Sequence, residues 1–160
     1  MDLLLDQDAS TRRETLRRIL KLLRRRAGLR SIEVAKRMGK APRTYQRWES
    51  GFYGLERDEI HRFAEIVEAD PWGIILGVEM GSVEYALRTA GNNGASLMVV
   101  ALRRFDKASG DDLRRLDSRS LSLVYTRGFA LLRHRAEKYA ADLEQWMFDE
   151  SLGGDLEDDD

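Results

Sequence analysis

The chain has 160 residues, 42% hydrophobic and 34% charged, with no cysteine and two histidines, His61 and His134, set far apart. This composition supplies a core, and it excludes disulfides, thiolate metal sites and cysteine nucleophiles. The net charge of −1 conceals an asymmetry: Arg12 to Arg47 holds fourteen Lys and Arg against two acids, and Asp142 to the end holds nine acids and no base. The longest mostly apolar run, Ala95 to Leu102, falls far short of a bilayer span. The opening MDLLLDQD is acidic where an export signal is basic, so a soluble cytoplasmic protein is expected. With two prolines and few β-branched residues, the expected fold class is all-α.

Thr11-Arg12-Arg13-Glu14 has capping-box spacing, which predicts a first helix starting at Thr11. It carries Leu16, Ile19, Leu20 and Leu23 on one face and ends at Gly28. A short helix over Ser31 to Met38, with Val34, Ala35 and Met38 inward, stops at Gly39. Pro42 suits the first position of a third helix that runs to Glu49, with Tyr45 and Trp48 inward. Gly51 to Gly54 reads as a loop, Arg57 to Glu68 as a fourth helix, and Trp72 to Leu76 as a short helical turn after Asp70-Pro71.

Beyond Met80 the pattern stays helical. Ser82 to Ala90 is amphipathic, Gly91 to Gly94 is a turn, and Ala95 to Lys107 is apolar enough to be a buried helix. Ser109 with Asp111 and Asp112 looks like a helix start. Ser118 to Phe148 is one long helix whose stripe is Leu121, Tyr125, Leu132, Ala136, Tyr139, Leu143 and Trp146. Four segments are expected: an arm over 1–10, a domain over 11–78, a helical C-terminal domain over 79–150 and a disordered acidic tail over 151–160.

The ordered set between Leu16 and Leu76 resembles the helix-turn-helix domain of the Cro/C1 (XRE) family. The elements that carry it are Gly28-Leu29, Val34-Ala35, Gly39, Trp48-Glu49-Ser50-Gly51, and Ile60, Phe63, Ala64 and Val67. The resemblance implies a five-helix DNA-binding domain with the helix over 42–49 in the major groove of double-stranded DNA. It departs from the family at Arg30 and Ser31, where a cap and a phosphate-binding Gln are usual, and at Ala41, a poor cap that Pro42 partly offsets. With Tyr45 and Trp48 inward, Pro42, Arg43, Thr44, Gln46 and Arg47 remain outward. Arg suits guanine, Gln suits adenine, and a Thr methyl can meet thymine. Either Arg43 or Arg47 touches a base, or both hold backbone phosphate. The resemblance also implies an ion pair between Arg24 and Glu49 that fixes the recognition helix; a solvated Arg24 is the alternative.

A sequence-specific transcriptional regulator, repressor or activator, associated with the nucleoid, is therefore the leading expectation. The C-terminal domain is expected to form a homodimer or to contact RNA polymerase or its sigma subunit. The acids Glu56, Asp58, Glu59, Glu65 and Glu68 on the fourth helix are either a solvated face or such a contact. The competing class is a protein-interaction module, an antitoxin-like or phage-type adaptor. No nucleophile–base pair, metal-ligand spacing or phosphate loop stands out, so neither an enzyme nor a cofactor is expected. Trp72 and Trp146 are expected as core anchors, and His61 and His134 as solvated helix residues.

Overall fold

The computed structural model describes residues 8–153, with side chains through Asp142. Its regular structure is helical throughout. Helix α1 spans Ala9–Arg26 and begins earlier than the capping-box spacing predicts. Asp8 is the cap: its carboxylate accepts from the Thr11 backbone N–H at 2.6 Å, which also holds the Asp8 carboxyl below its ordinary range. An Asp caps at least as well as a Thr and adds most of a turn. Glu14 is consequently free for Arg17, which donates to it at 2.7 and 2.6 Å.

Helices α2 (Ser31–Arg37), α3 (Pro42–Glu49), α4 (Arg57–Val67) and α5 (Pro71–Glu79) follow. Leu16, Ile19, Leu20 and Leu23 of α1 meet Val34 and Ala35 of α2, Tyr45 and Trp48 of α3, and Ile60, Phe63, Ala64 and Val67 of α4 in one core. Glycine is required at Gly51, after α3. Its φ is +76°, and a Cβ there would stand 2.7 Å from the Arg13 carbonyl oxygen, so α1 packs directly on its backbone.

Helix α5 is longer than the turn read over Trp72 to Leu76, because Asp70 caps it and Pro71 presets its first residue. The first compact unit runs to Ala108, past the boundary expected at 78/79. The reason lies in α6 (Val83–Thr89), whose Val83 and Ala86, with Ala90 just after it, join the same core. Gly73 and Gly77 give α6 its seat on α5. A Cβ on Gly73 would lie 2.3 Å from Thr89 Oγ1, and one on Gly77 3.0 Å from Ala86 Cβ.

Helix α7 (Gly94–Ser109) starts on the same unit. Asp70 is fully buried and accepts from the N–H groups of Ala95 and Ser96, at 2.9 and 3.1 Å, and from Ser96 Oγ at 2.6 Å. Its carboxylate also takes the Trp72 N–H at 3.1 Å, so one side chain caps two helices. Beyond Ala95 the expected burial of α7 is not found: Leu97, Met98, Val100, Leu102 and Phe105 are exposed. An apolar run predicts that something covers it, and not that this chain does.

The second unit begins at Ser109. Ser109 makes no capping bond; Gly110, at φ +50°, opens a 3-10 turn over Gly110–Arg115. Helix α8 spans Ser118–Gly153 and is capped by Asp117, which accepts from the Ser120 N–H at 2.8 Å. Tyr125, Leu132, Ala136 and Tyr139 of its expected stripe are exposed, and Leu121 is half-buried. Leu143 and Trp146 lie outside the residues whose side chains are described. Of the expected tail, 151–153 belong to α8, and 154–160 lie outside the described residues, as do 1–7 of the expected arm. Among the described residues, no helix is long and apolar enough to cross a membrane.

Candidate nucleic-acid interface

Helices α2 and α3 are joined by a tight turn through Met38 to Ala41. Gly39 takes φ +67°, and the Lys40 N–H donates back to Ala35 O at 2.9 Å. Lys40 Nζ also meets Glu59 Oε1 of α4 at 3.2 Å, both side chains being mostly buried, so the turn is tied to the scaffold. Glu59 is thereby committed within the chain, whereas Glu56, Asp58, Glu65 and Glu68 face solvent.

Helix α3 has no side-chain cap at Ala41 and starts on Pro42 instead. Its roll is fixed from beneath. The Tyr45 and Trp48 rings lie 5.8 Å apart, and Trp48 meets Phe63 of α4 at 5.5 Å. Arg24 of α1 donates to both carboxylate oxygens of Glu49, Nε at 2.6 Å and Nη2 at 3.2 Å. Arg24 Nη1 also donates to Leu29 O at 3.0 Å, and Tyr45 OH donates to Glu49 Oε1 at 2.8 Å. Both members of the ion pair are 13% exposed, so water screens them poorly. The hydrogen bond to Glu49 raises the Arg24 pKa, and burial beside the Glu49 charge pushes the Tyr45 phenol well above its ordinary range. One guanidinium, that of Arg24, thus ties α1, the α1–α2 connection and α3 together.

The opposite face of α3 is exposed. Pro42, Arg43, Thr44, Gln46 and Arg47 are all exposed. Among the described residues, no hydrogen bond or ion pair engages the side chains of Arg43, Thr44 or Gln46. At the start of α2, Arg30 is the N-cap residue and Ser31, half-buried, is the first helical residue. The Arg30 N–H donates to Glu33 Oε2 at 2.7 Å, and that bond lowers the Glu33 pKa. The Arg30 guanidinium also reaches Glu33 at 3.3 Å and stays largely in solvent. The structure therefore gathers Arg43, Thr44, Gln46 and Arg47 on one helix face and sets Arg30 and Ser31 on the neighbouring helix end.

One feature of this surface is absent from the sequence reading. The Arg47 guanidinium carbon sits 4.4 Å from the Phe52 ring centroid and 5.8 Å from that of Tyr53. The two rings meet edge-to-face at 5.1 Å. The available signal was an exposed aromatic pair held between Gly51 and Gly54, just past a helix that ends in Arg. His61 and Trp72 also depart from expectation. Each is half-buried, and they meet edge-on at 6.2 Å, with Arg57 over the Trp72 ring at 5.5 Å. Trp72 is thus a lid on the edge of the core rather than its anchor.

Residues 15–71 match a family model described as a helix-turn-helix domain. No curated protein and no solved structure matches the chain.

Proposed function

We infer, from the helix-turn-helix match over residues 15–71 and the resemblance of the same segment to the Cro/C1 family, that this protein is a sequence-specific DNA-binding regulator of transcription. The observation that carries the reading is α3 itself. It is braced on its inner face by Arg24, Glu49, Tyr45 and Trp48, and it presents unpartnered Arg43, Thr44 and Gln46 on its outer face. A braced helix with polar, hydrogen-bonding residues in its first turns is what the major groove accommodates. Arg30, Ser31 and the basic surface of α2 are assigned to flanking phosphates.

The same proposal includes a homodimer formed through the C-terminal helix, which pairs two recognition helices on one duplex. Its support is the exposed apolar surface of α8, including Tyr125, Leu132 and Tyr139. A polymerase or sigma contact is the alternative use of the C-terminal helix, and the solvent-facing acids Glu56, Asp58, Glu65 and Glu68 are a solvated face. The setting is the bacterial or phage nucleoid, in the cytoplasm. Mapping the bound sites genome-wide tests the reading. It expects promoter sites that share an inverted repeat. On those sites Arg43→Ala or Gln46→Ala lowers affinity by about 1–3 kcal/mol per lost base contact, with random-sequence binding retained. A chain whose partner is a protein would instead show no steep salt dependence on duplex DNA.

A further inference from the structure

We propose that Phe52 and Tyr53 form an aromatic platform that positions Arg47 as a clamp on a DNA backbone phosphate, beside the base-reading part of α3. This rests on the DNA-binding reading above and assigns to Arg47 a role different from that of Arg43.

Four observations point the same way. First, the guanidinium lies against the Phe52 ring at 4.4 Å, with Tyr53 also within reach at 5.8 Å. A guanidinium held over a ring makes a cation–π contact and keeps N–H donors for a further partner. Among the described residues no acid takes those donors, although Glu49 is close in sequence, because Glu49 is held by Arg24 and Tyr45. A flat cation with free donors fits the two oxygens of a phosphodiester.

Second, the platform is itself fixed. The Phe52 N–H donates to Arg47 O at 3.3 Å, the Gly54 N–H to Gly51 O at 3.0 Å, and Ser50 Oγ to Arg47 O at 2.6 Å. Gly51 is buried against the backbone of Arg13. The loop cannot swing away without lifting off α1. Third, Phe52 and Tyr53 are 58% and 46% exposed, a costly surface for two aromatic rings that contribute little to the core. Fourth, Arg47 sits in the last turn of α3 and its cation is drawn over the following loop. Base edges are met by the first residues of a recognition helix, and the flanking connection runs along the phosphates.

The test uses the full chain and a random-sequence DNA duplex, with affinity measured by fluorescence anisotropy across a salt series. Arg47→Ala is expected to weaken binding about tenfold and to make the salt slope shallower by about one. Phe52→Ala and Phe52→Leu, the latter keeping apolar volume without a π face, are each expected to cost about two- to fivefold. Phe52→Tyr restores wild-type binding. In an Arg47→Ala background, Phe52→Ala has no further effect, because the ring acts only through the cation. The proposal is overturned if Phe52→Leu binds as wild type, or if Phe52→Ala costs as much without Arg47 as with it. It is equally overturned if Arg47→Ala leaves random-sequence binding intact, which would make Arg47 a base reader. A wild-type chain that ignores the duplex at low salt defeats the DNA-binding reading itself; a wild-type chain that binds while the Phe52 variants are silent defeats the platform alone.

Discussion

At the scale of single residues, Glu49 does the most. Its carboxylate accepts from Arg24 and Tyr45, so the outward face of α3 depends on three side chains that never meet solvent freely. Arg24→Ala leaves a mostly buried carboxylate with only the phenol as partner. We expect a loss of about 2–3 kcal/mol, below the cost for a fully buried pair because water reaches both groups slightly. Urea denaturation measures it, and a midpoint equal to wild type would show that the pair contributes nothing. The Tyr45 phenol makes the same network sensitive to high pH. Its pKa in the folded chain is raised, chiefly by burial and then by the Glu49 charge, above the ordinary value of 10.0. Above that ordinary value the unfolded chain gives up the proton while the folded chain keeps it, so stability falls as pH rises through about 10. Tyr45→Phe removes this ionisation. The variant should therefore lose less stability than wild type between pH 9 and 11 in paired thermal melts, whatever its stability at neutral pH.

At the scale of elements, Asp70 connects two helices of the first unit. It caps α5 through Trp72 and α7 through Ala95 and Ser96 while fully buried. Asp70→Ala strands those N–H groups, and we expect a cost of about 2–4 kcal/mol. Hydrogen exchange should show the first-turn amides of α7 losing protection before those of α1. Uniform loss across both helices would mean that Asp70 supports the whole unit rather than the α7 start. Helices α1 to α4 were legible because each carries an apolar stripe at helical period and a local stop at Gly28, Gly39, Gly51 or Glu68 to Pro71. The outward set on α3 followed from the same periodicity, once Tyr45 and Trp48 were turned inward. The role of α6 was not legible, because it depends on Gly73 and Gly77 leaving room on a different helix. Nor was the Asp70 link, whose partners are 25 and 26 residues away. The Arg47 platform needed the loop geometry, since stacking depends on where Phe52 and Tyr53 point.

At the scale of the molecule, α8 sets the remaining problem. It is 36 residues long, and its Leu123, Val124, Tyr125, Phe129, Leu131, Leu132 and Tyr139 are all exposed. At about 100° per residue, Tyr125, Leu132 and Tyr139 share one line, with Val124 and Leu131 on one flank and Phe129 on the other. A helix of this length gains most of its stability from packing of such an arc, not from propensity. An arc this broad, rather than a narrow seam, calls for neighbours on more than one side. A second copy supplies an identical arc, and the self-complementary contact it makes closes under two-fold symmetry. We therefore predict that the full chain is a dimer at micromolar concentration by sedimentation equilibrium. Leu132→Glu and Tyr139→Glu place a charge on the central line and should return it to monomer, with a fall in helical circular dichroism as α8 loses its cover. Raising salt should leave the dimer intact, since the contact is apolar and screening acts on charges. The chain ending at Ala108, the limit of the first compact unit, should be monomeric and should bind single half-sites only. A full-length chain that sediments as a monomer, with and without duplex DNA, would remove the dimer and leave the α8 arc to a different protein.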